Sequence, residues 1–237
     1  MFWPPRRRNL HMRIGKGLFY AVLTIVLSVQ YSFAEKPTAL FLLDAKPNAR
    51  LCSMGGVFSG ADYGDAFSNP AALGWTVGPG ASFSSWQGQV EDAKYSFASM
   101  VSPYFMRGRL SLSYLSYNTG SETIEELDGS QRSITFEDDA IIGLGYGFRL
   151  AQTLFAGVNL KYLSSTLAED YTAKSFLTDF GLLYRTLDDK HSFEAGLANY
   201  GKPLKYSSAE EPVPSEIRFG YAYRKNGPFV NNVDKCS

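Results

Sequence analysis

Hydrophobic and polar residues alternate with a period of two along much of the chain, which predicts β-strands rather than helices. The alternation is clearest in four segments, 140–150, 154–162, 176–185 and 216–224. Weaker alternating runs lie at 79–86, 94–101, 109–118 and 191–200. We therefore predict about eight strands, each about ten residues long, which is the length that a tilted membrane strand requires.

The two faces of these strands differ in an informative way. One face is apolar and carries residues such as Leu144, Leu154, Val158, Ile217 and Phe219. The other is rich in glycine, Asn, Arg, Asp and Glu, where an ordinary solvated sheet would carry Ser, Thr and Lys. Glycine in a strand often marks a close approach by another piece of backbone. We therefore predict an all-β, antiparallel transmembrane β-barrel, with a soluble sandwich as the alternative, and assign five glycines to the lumen-facing wall: Gly143, Gly145, Gly147, Gly157 and Gly181.

The linkers between the predicted strands alternate short and long after the first, as in outer-membrane barrels with short periplasmic turns and longer outside loops. Ala151-Gln152 is a short linker, whereas 119–139, 163–175 and 201–214 are long. The acidic linker 119–139 is then expected outside the cell, and Asn226-Gly227 is a candidate for the next inner turn.

The first 34 residues have the features of a secretory signal peptide. Five basic residues precede an apolar run from Leu18 to Val29, and Ser32-Phe33-Ala34 suits cleavage after Ala34. The run is too short to span a bilayer as a helix, which disfavours the alternative of an uncleaved anchor. Export and the strand pattern together predict a location in the bacterial outer membrane.

Charge and cysteine content narrow the possible partners. Without the five basic residues of the signal, 18 basic residues face 23 acidic ones, a net charge of about −5. We therefore expect no nucleic-acid partner. Cys52 and Cys236 are too few for a disulfide framework, and Cys52 is expected to be a buried free thiol.

Three short motifs lie in order between the signal and the first strand: Ala49-Arg50, Met54-Gly55-Gly56 and Asn69-Pro70-Ala71. In this order and spacing they resemble the amino-terminal plug of PorV/PorQ proteins, within the FadL-like superfamily of outer-membrane barrels. The resemblance continues through Gly157–Tyr162, Thr178–Tyr184, Ala198–Gly201 and Pro214–Tyr223. After the signal peptide 1–34, it implies a plug at 35–78 and a partial outer-membrane β-barrel at 79–237.

The resemblance also bears on completeness. FadL-like barrels have fourteen strands, so this chain is expected to contain about 8 of about 14, an incomplete barrel. An eight-stranded barrel has room inside only for side chains. A plug and a closed eight-stranded barrel therefore exclude one another, and a complete small barrel with the plug segment outside is the alternative.

Two functions from different classes follow from the resemblance. PorV-like barrels act in protein export of the type IX kind, which implies secreted cargo proteins and secretion machinery as partners beside outer-membrane lipid. The alternative is a FadL-like transporter of hydrophobic small molecules, which an apolar pocket lined by Phe and Leu at the plug would favour. A structural surface barrel is a third possibility.

Catalytic and cofactor chemistry is not indicated. His191, the only histidine after the signal, follows Asp188-Asp189-Lys190 and is interpreted as an exposed turn residue. The glycines of Gly143-x-Gly145-x-Gly147 sit on one strand face, unlike a phosphate loop. Asp62 and Asp65 are more typical of turn carboxylates than of a cation site. We therefore expect no enzyme activity, cofactor or metal.

Overall fold

Three short helices precede a long series of strands in the computed structural model, which describes residues 41–47, 49–53, 66–87, 93–125, 129–207 and 209–224. All belong to the unit Pro37–Ser237. The helices are α1 (Phe41–Asp44), α2 (Ala49–Ser53) and α3 (Ala72–Trp75). None of the helices in these ranges is long and apolar enough to cross a membrane.

Eight strands form one antiparallel sheet. In chain order they are β1 (Gly80–Gln87), β2 (Lys94–Val101), β3 (Gly108–Asn118), β6 (Glu137–Arg149), β7 (Leu154–Leu167), β8 (Tyr171–Arg185), β9 (His191–Gly201) and β12 (Glu216–Tyr223). Each pairs with the next in the order β1-β2-β3-β6-β7-β8-β9-β12. All eight predicted strands are confirmed, and with them an all-β chain built on a large antiparallel sheet.

Two small hairpins interrupt this series. Strands β4 (Ser121–Glu125) and β5 (Gln131–Thr135) lie between β3 and β6, and β10 (Leu204–Tyr206) and β11 (Ala209–Glu211) lie between β9 and β12. Both hairpins fall in segments that the sequence analysis assigned to linkers. Those assignments were wrong in detail, because the two linkers contain paired strands of their own.

Strands β7 and β8 are also longer than predicted, with 14 and 15 residues. They continue through most of the predicted linker 163–175, leaving a turn at Ala168–Asp170. The prediction followed the apolar face of each strand. It ended the strands too early because that face becomes polar at Ser164 and Lys174 while the pairing continues.

Several predicted features lie outside the described residues: the signal peptide, Met54-Gly55-Gly56, Asp62, Asp65, Asn226-Gly227 and Cys236. Cys52 is described, and its prediction was wrong. It lies on α2, is exposed, and its thiol donates to the carbonyl oxygen of Lys46 at 3.7 Å. His191 begins β9 and is half-buried, with Nδ1 2.9 Å from the Tyr221 hydroxyl, rather than an exposed turn residue.

Candidate functional site

Over most of its area the sheet has an exposed apolar face and a buried polar face. Phe176 is 73% exposed and Phe219 69% exposed, whereas Asn159 is fully buried and Lys161 is 3% exposed. This is the reverse of a sheet in a water-soluble protein, which turns its apolar face to a core. The assignment of residues to the two faces, made from the alternation, is confirmed.

The exposed face changes character at one row of the sheet. This row crosses five strands, where the register partners are Ala98, Tyr114, Ile142, Tyr162 and Phe176. Its three aromatic members, Tyr114, Tyr162 and Phe176, are here called the first aromatic row. The next row towards the β4–β5 hairpin is polar or small: Ser96, Ser116, Ala140, Ser164 and Lys174. The row after that is entirely polar: Lys94, Asn118, Asp138, Thr166 and Thr172.

The buried face changes in the opposite sense at the same level. Beyond the first aromatic row it carries a row of large apolar residues, Phe97, Leu115, Ile141 and Leu163. These pack with Leu42 and Leu43 of α1, Phe67, Leu177, Leu204 and Tyr206 in an apolar cluster. At one end of the sheet the apolar face is therefore buried, as in a water-soluble protein. Over the rest of the sheet the apolar face is exposed and the polar face is buried.

A second row of aromatic residues bounds the apolar face at its other end. Tyr184, Phe193 and Tyr221 are register partners on β8, β9 and β12, and their neighbouring ring centroids lie 6.3 and 5.0 Å apart. Eight residues of β8 separate Phe176 from Tyr184, about 26 Å along the strand. The two aromatic rows thus enclose a band of exposed apolar side chains.

The buried face within this band contains four glycines in one register row. Gly147, Gly157, Gly181 and Gly196 lie side by side on β6, β7, β8 and β9 and are here called the glycine row. Because glycine has no side chain, the row is a shallow trough of bare backbone.

The segment Asn69–Gly74 lies in this trough. A Cβ atom on Gly157 would come within 2.6 Å of the Ala71 nitrogen, and one on Gly147 within 2.7 Å of the Leu73 Cβ. On Gly181 it would lie 3.0 Å from the Pro70 Cδ. Only glycine at these three positions allows the segment to lie so close.

Asn69 fixes both the shape and the place of this segment. Its Oδ1 accepts a hydrogen bond from the Ala71 N–H at 3.0 Å, and its carbonyl accepts one from the Ala72 N–H at 3.0 Å, which begins α3. Its Nδ2 donates to Glu194 Oε2 on β9 at 3.1 Å. The Asn69 side chain therefore bonds the main chain two residues later, in the turn that precedes α3.

A buried ion pair holds the residues just before Asn69. Lys161 Nζ lies 2.7 Å from Asp179 Oδ2, and both side chains are 3% exposed. The carboxylate also accepts from Asn159 Nδ2 at 3.1 Å and from the Asn199 N–H at 2.8 Å. Asn159 Nδ2 in turn donates to the Ala66 carbonyl at 3.3 Å, so the sheet binds this segment through its backbone.

Two arginines hold the last residue of α3 and the two residues after it. Arg109 donates from Nε to the Thr76 carbonyl at 2.9 Å and from Nη2 to the Val77 carbonyl at 3.0 Å. The Arg185 guanidinium lies 3.7 Å from the centroid of the Trp75 ring. Residues Ala66–Val77 are therefore bound to the sheet at both ends as well as in the glycine row.

Two carboxyl groups, those of half-buried Glu137 and buried Asp139, lie beyond the first aromatic row, outside the apolar band. Burial, followed by the nearby charge of Asp139, raises the pKa of Glu137 to about 8. Burial also raises the pKa of Asp139, to about 6. Tyr206 lies near them, donates to Ser165 Oγ at 2.6 Å, and has its pKa raised to about 12 by burial. No group of three or more metal-binding side chains occurs in the described ranges.

The structure brings together part of the site that the sequence singled out. Asn69, Pro70 and Ala71 contact Gly147, Gly157 and Gly181, while Gly143 and Gly145 face Phe67 and Ala66. Ala49 and Arg50 belong to α2, and Met54, Gly55 and Gly56 lie outside the described residues. That these residues form a plug in a lumen stays a prediction.

The sequence analysis did not identify Glu194, Arg109 or the Lys161–Asp179 pair as part of the site. Charged residues at buried-face positions of strands were the available signal for Lys161 and Asp179. Which of them meet depends on strand register, which the alternation alone does not fix.

Comparison with known proteins adds no family. No protein-family profile matches the chain, and no curated protein has a sequence significantly similar to it. The resemblance to PorV/PorQ proteins therefore rests on the motifs quoted above.

Proposed function

We propose that this chain is a component of the bacterial outer membrane, a β-barrel wall of the PorV/PorQ type with a plug seated on its inner face. The observation that carries the proposal is the reversed polarity of the sheet between the two aromatic rows. An exposed apolar face of this size is stable in lipid and unfavourable in water.

The dimensions of the band support a membrane position. Its 26 Å or so along β8, measured on a strand tilted by about 40°, corresponds to roughly 20 Å of depth. Outer-membrane barrels carry an apolar band of about 25 Å with aromatic girdles at both interfaces. The first aromatic row marks one interface, since polar residues begin directly beyond it.

Residues Ala66–Val77, here called the seated segment, support a closed wall rather than an open channel. Ala66–Val77 covers the glycine row, and buried hydrogen bonds retain it: Asn159 and Arg109 donate to its carbonyl groups, and Glu194 accepts from Asn69. A barrel closed in this way suits a protein that holds a partner at its outer side.

Protein export is the function we favour. Beyond the first aromatic row the sheet leaves the apolar band and carries the β4–β5 hairpin, in which Ser121–Glu125 is exposed throughout. Such a hairpin offers strand edges that an incoming protein domain can extend by β-augmentation. Under this proposal the partners are secreted cargo and secretion machinery, as the resemblance implies.

Transport of hydrophobic small molecules is the second candidate, and the apolar cluster favours it. The cluster beside α1 is lined by Phe67, Phe97, Leu115, Leu163 and Leu177. Leu42 and Leu43 occupy it in the present structure. A movement of α1 would open an apolar site at the outer end of the wall.

Cysteine labelling tests the membrane proposal. In a Cys52→Ser/Cys236→Ser background, Val158→Cys and Ser164→Cys place one thiol each on the exposed face of β7, inside the band and beyond it. In membranes a charged maleimide should label Ser164→Cys and spare Val158→Cys, and detergent-free urea should make both reactive. Equal labelling in membranes would contradict the proposal.

A hairpin deletion separates export from transport. Replacing Ser121–Thr135 by a short Gly-Ser turn should abolish binding of a purified cargo signal domain while leaving uptake of a fluorescent fatty acid unchanged. Asp170→Ala, in the β7–β8 turn at the same end of the sheet, is the control. Retained cargo binding in the deletion variant would contradict the role of the hairpin in export, and fatty-acid uptake by that variant would then favour the transporter.

A further inference from the structure

The exposed face of the sheet contains a groove of about 550 Å³ that crosses β7, β8, β9 and β12. It lies inside the apolar band, next to the second aromatic row. Its side walls include Val158, Phe180, Ile217 and Phe219, and none of the described residues that line it has a charged or polar side chain.

The groove exists because two small residues stand among large ones. One register row on the exposed face consists of Phe148, Ala156, Leu182, Ala195 and Phe219. At Ala156 and Ala195 the surface falls towards the backbone of Gly157, Gly181 and Gly196, which forms the floor. The glycine row thus serves both faces of the sheet, with the seated segment on one side and this groove on the other.

The length and direction of the groove match one leaflet of a bilayer. From β6 to β12 the row crosses four strand spacings, about 19 Å. With strands tilted by about 40°, the groove lies at roughly 50° to the membrane normal and covers about 12 Å of depth. One leaflet of a hydrocarbon core is about 15 Å deep.

The neighbouring row supplies groups suited to a lipid headgroup. Two residues further along the strands, Tyr184, Phe193 and Tyr221 bound the band, and the Tyr221 hydroxyl contacts His191 Nδ1. Amphipathic aromatic side chains of this kind settle at the level of headgroups. A lipid whose headgroup lies here would direct one of its chains along the groove.

We propose that this groove binds the acyl chain of a membrane phospholipid as a fixed site, held more firmly than the lipid around the rest of the band. The proposal rests on the proposed membrane location. It goes beyond it by assigning one place on the exposed face, Ala156 to Phe219, to one lipid chain.

Native mass spectrometry of the protein released from nanodiscs of palmitoyl-oleoyl-phosphatidylethanolamine tests the site. Wild-type protein should retain one phospholipid. The double variant Ala156→Leu/Ala195→Leu fills the groove without adding polarity and should retain roughly fivefold less, because the chain loses its buried contact area. Ala98→Leu, on the exposed face of β2 and outside the groove, is the matched control and should retain lipid like the wild type.

The outcomes separate the two proposals. Equal retention by wild type and double variant, both folded in a heat-modifiability gel, would overturn the lipid site while leaving the membrane location intact. Equal loss in Ala98→Leu would overturn it as well, since the lipid would then be held by the band in general. Failure of folded wild-type protein to enter nanodiscs would overturn the proposed function and this site with it. Ala195→Val alone should give an intermediate loss.

Discussion

Single residues of the glycine row have different tasks although they share one row of the sheet. At Gly147, Gly157 and Gly181 the missing side chain makes room for Asn69–Gly74, whereas a Cβ on Gly196 would meet, among the described residues, only the Phe180 carbonyl oxygen, at 3.3 Å. Glycine is thus required by the seated segment at the first three positions. At Gly196 the need for glycine is much weaker. Substitutions at the two kinds of position can therefore test whether the glycine row holds the seated segment.

Gly157→Ala should loosen the seated segment, whereas Gly196→Ala should leave it in place. At Gly157 the new methyl group overlaps the backbone of Pro70 and Ala71, an overpacking that costs about 1–3 kcal/mol. Limited proteolysis between Ala66 and Val77 measures the release. Equal proteolysis of the two variants would argue against the seat.

Asn69→Ala should weaken the same seat through its hydrogen bonds. It removes the hydrogen bond to Glu194 and leaves the buried Ala71 N–H without its acceptor, at a cost of about 1–3 kcal/mol. Cells with this variant should take up small antibiotics faster. Asn118→Ala also removes a side-chain bond to a main-chain N–H, that of Gly120, but away from the seat, and should not change uptake.

Glu137 makes stability depend on pH. Its pKa is raised to about 8 in the folded protein, so the unfolded state loses the proton first as pH rises, and stability falls between about pH 4.5 and 8. Glu137→Gln should unfold at a higher temperature than wild type at pH 9 and at the same temperature at pH 4. The control Glu122→Gln changes an exposed carboxylate in β4 and should show no such difference.

At the scale of elements, the strands are defined by alternation, and the two faces exchange polarity within a single strand. The sequence predicted the eight strands because period-two alternation is a local signal. It missed the extensions of β7 and β8 and the β4–β5 and β10–β11 hairpins, where the apolar side turns inward or the strand is short. The ion pair of Lys161 and Asp179 could not be predicted from the local sequence pattern, because only the register of β7 with β8 brings the two side chains together.

An arginine scan along one strand locates the boundary of the band. Val158→Arg places a charge inside the band and should cost about 2–4 kcal/mol if the position lies near the bilayer midplane. Ser164→Arg lies on the same face of β7 beyond the first aromatic row and should cost less than about 1 kcal/mol. Urea titration of the protein refolded in lipid vesicles measures both, and equal costs would argue against a membrane boundary at that row.

At the scale of the whole molecule, the two edges of the sheet matter most. Within the described residues β1 pairs only with β2, and β12 only with β9. The Arg224 N–H points towards β9, since it donates to the Lys190 carbonyl just before that strand. In an antiparallel strand successive N–H groups point to opposite sides. The N–H groups that point away from β9 are therefore those of Ile217, Phe219, Tyr221 and Tyr223. In lipid each such group without a partner costs several kcal/mol, so a bare edge is incompatible with the band.

We therefore expect the N–H groups of Ile217, Phe219 and Tyr221 to be hydrogen-bonded whenever the protein is inserted in lipid. Hydrogen exchange measured by NMR in nanodiscs should show these amides protected as strongly as those of Arg218 and Gly220, which face β9. The amides of the exposed β4 strand, such as Thr123, serve as the fast-exchanging reference. Protected edge amides would mean that another strand completes the sheet beside β12, whereas rapid exchange at alternate residues of β12 in an inserted protein would contradict the barrel itself, because the apolar band would then end in an unpaired strand edge.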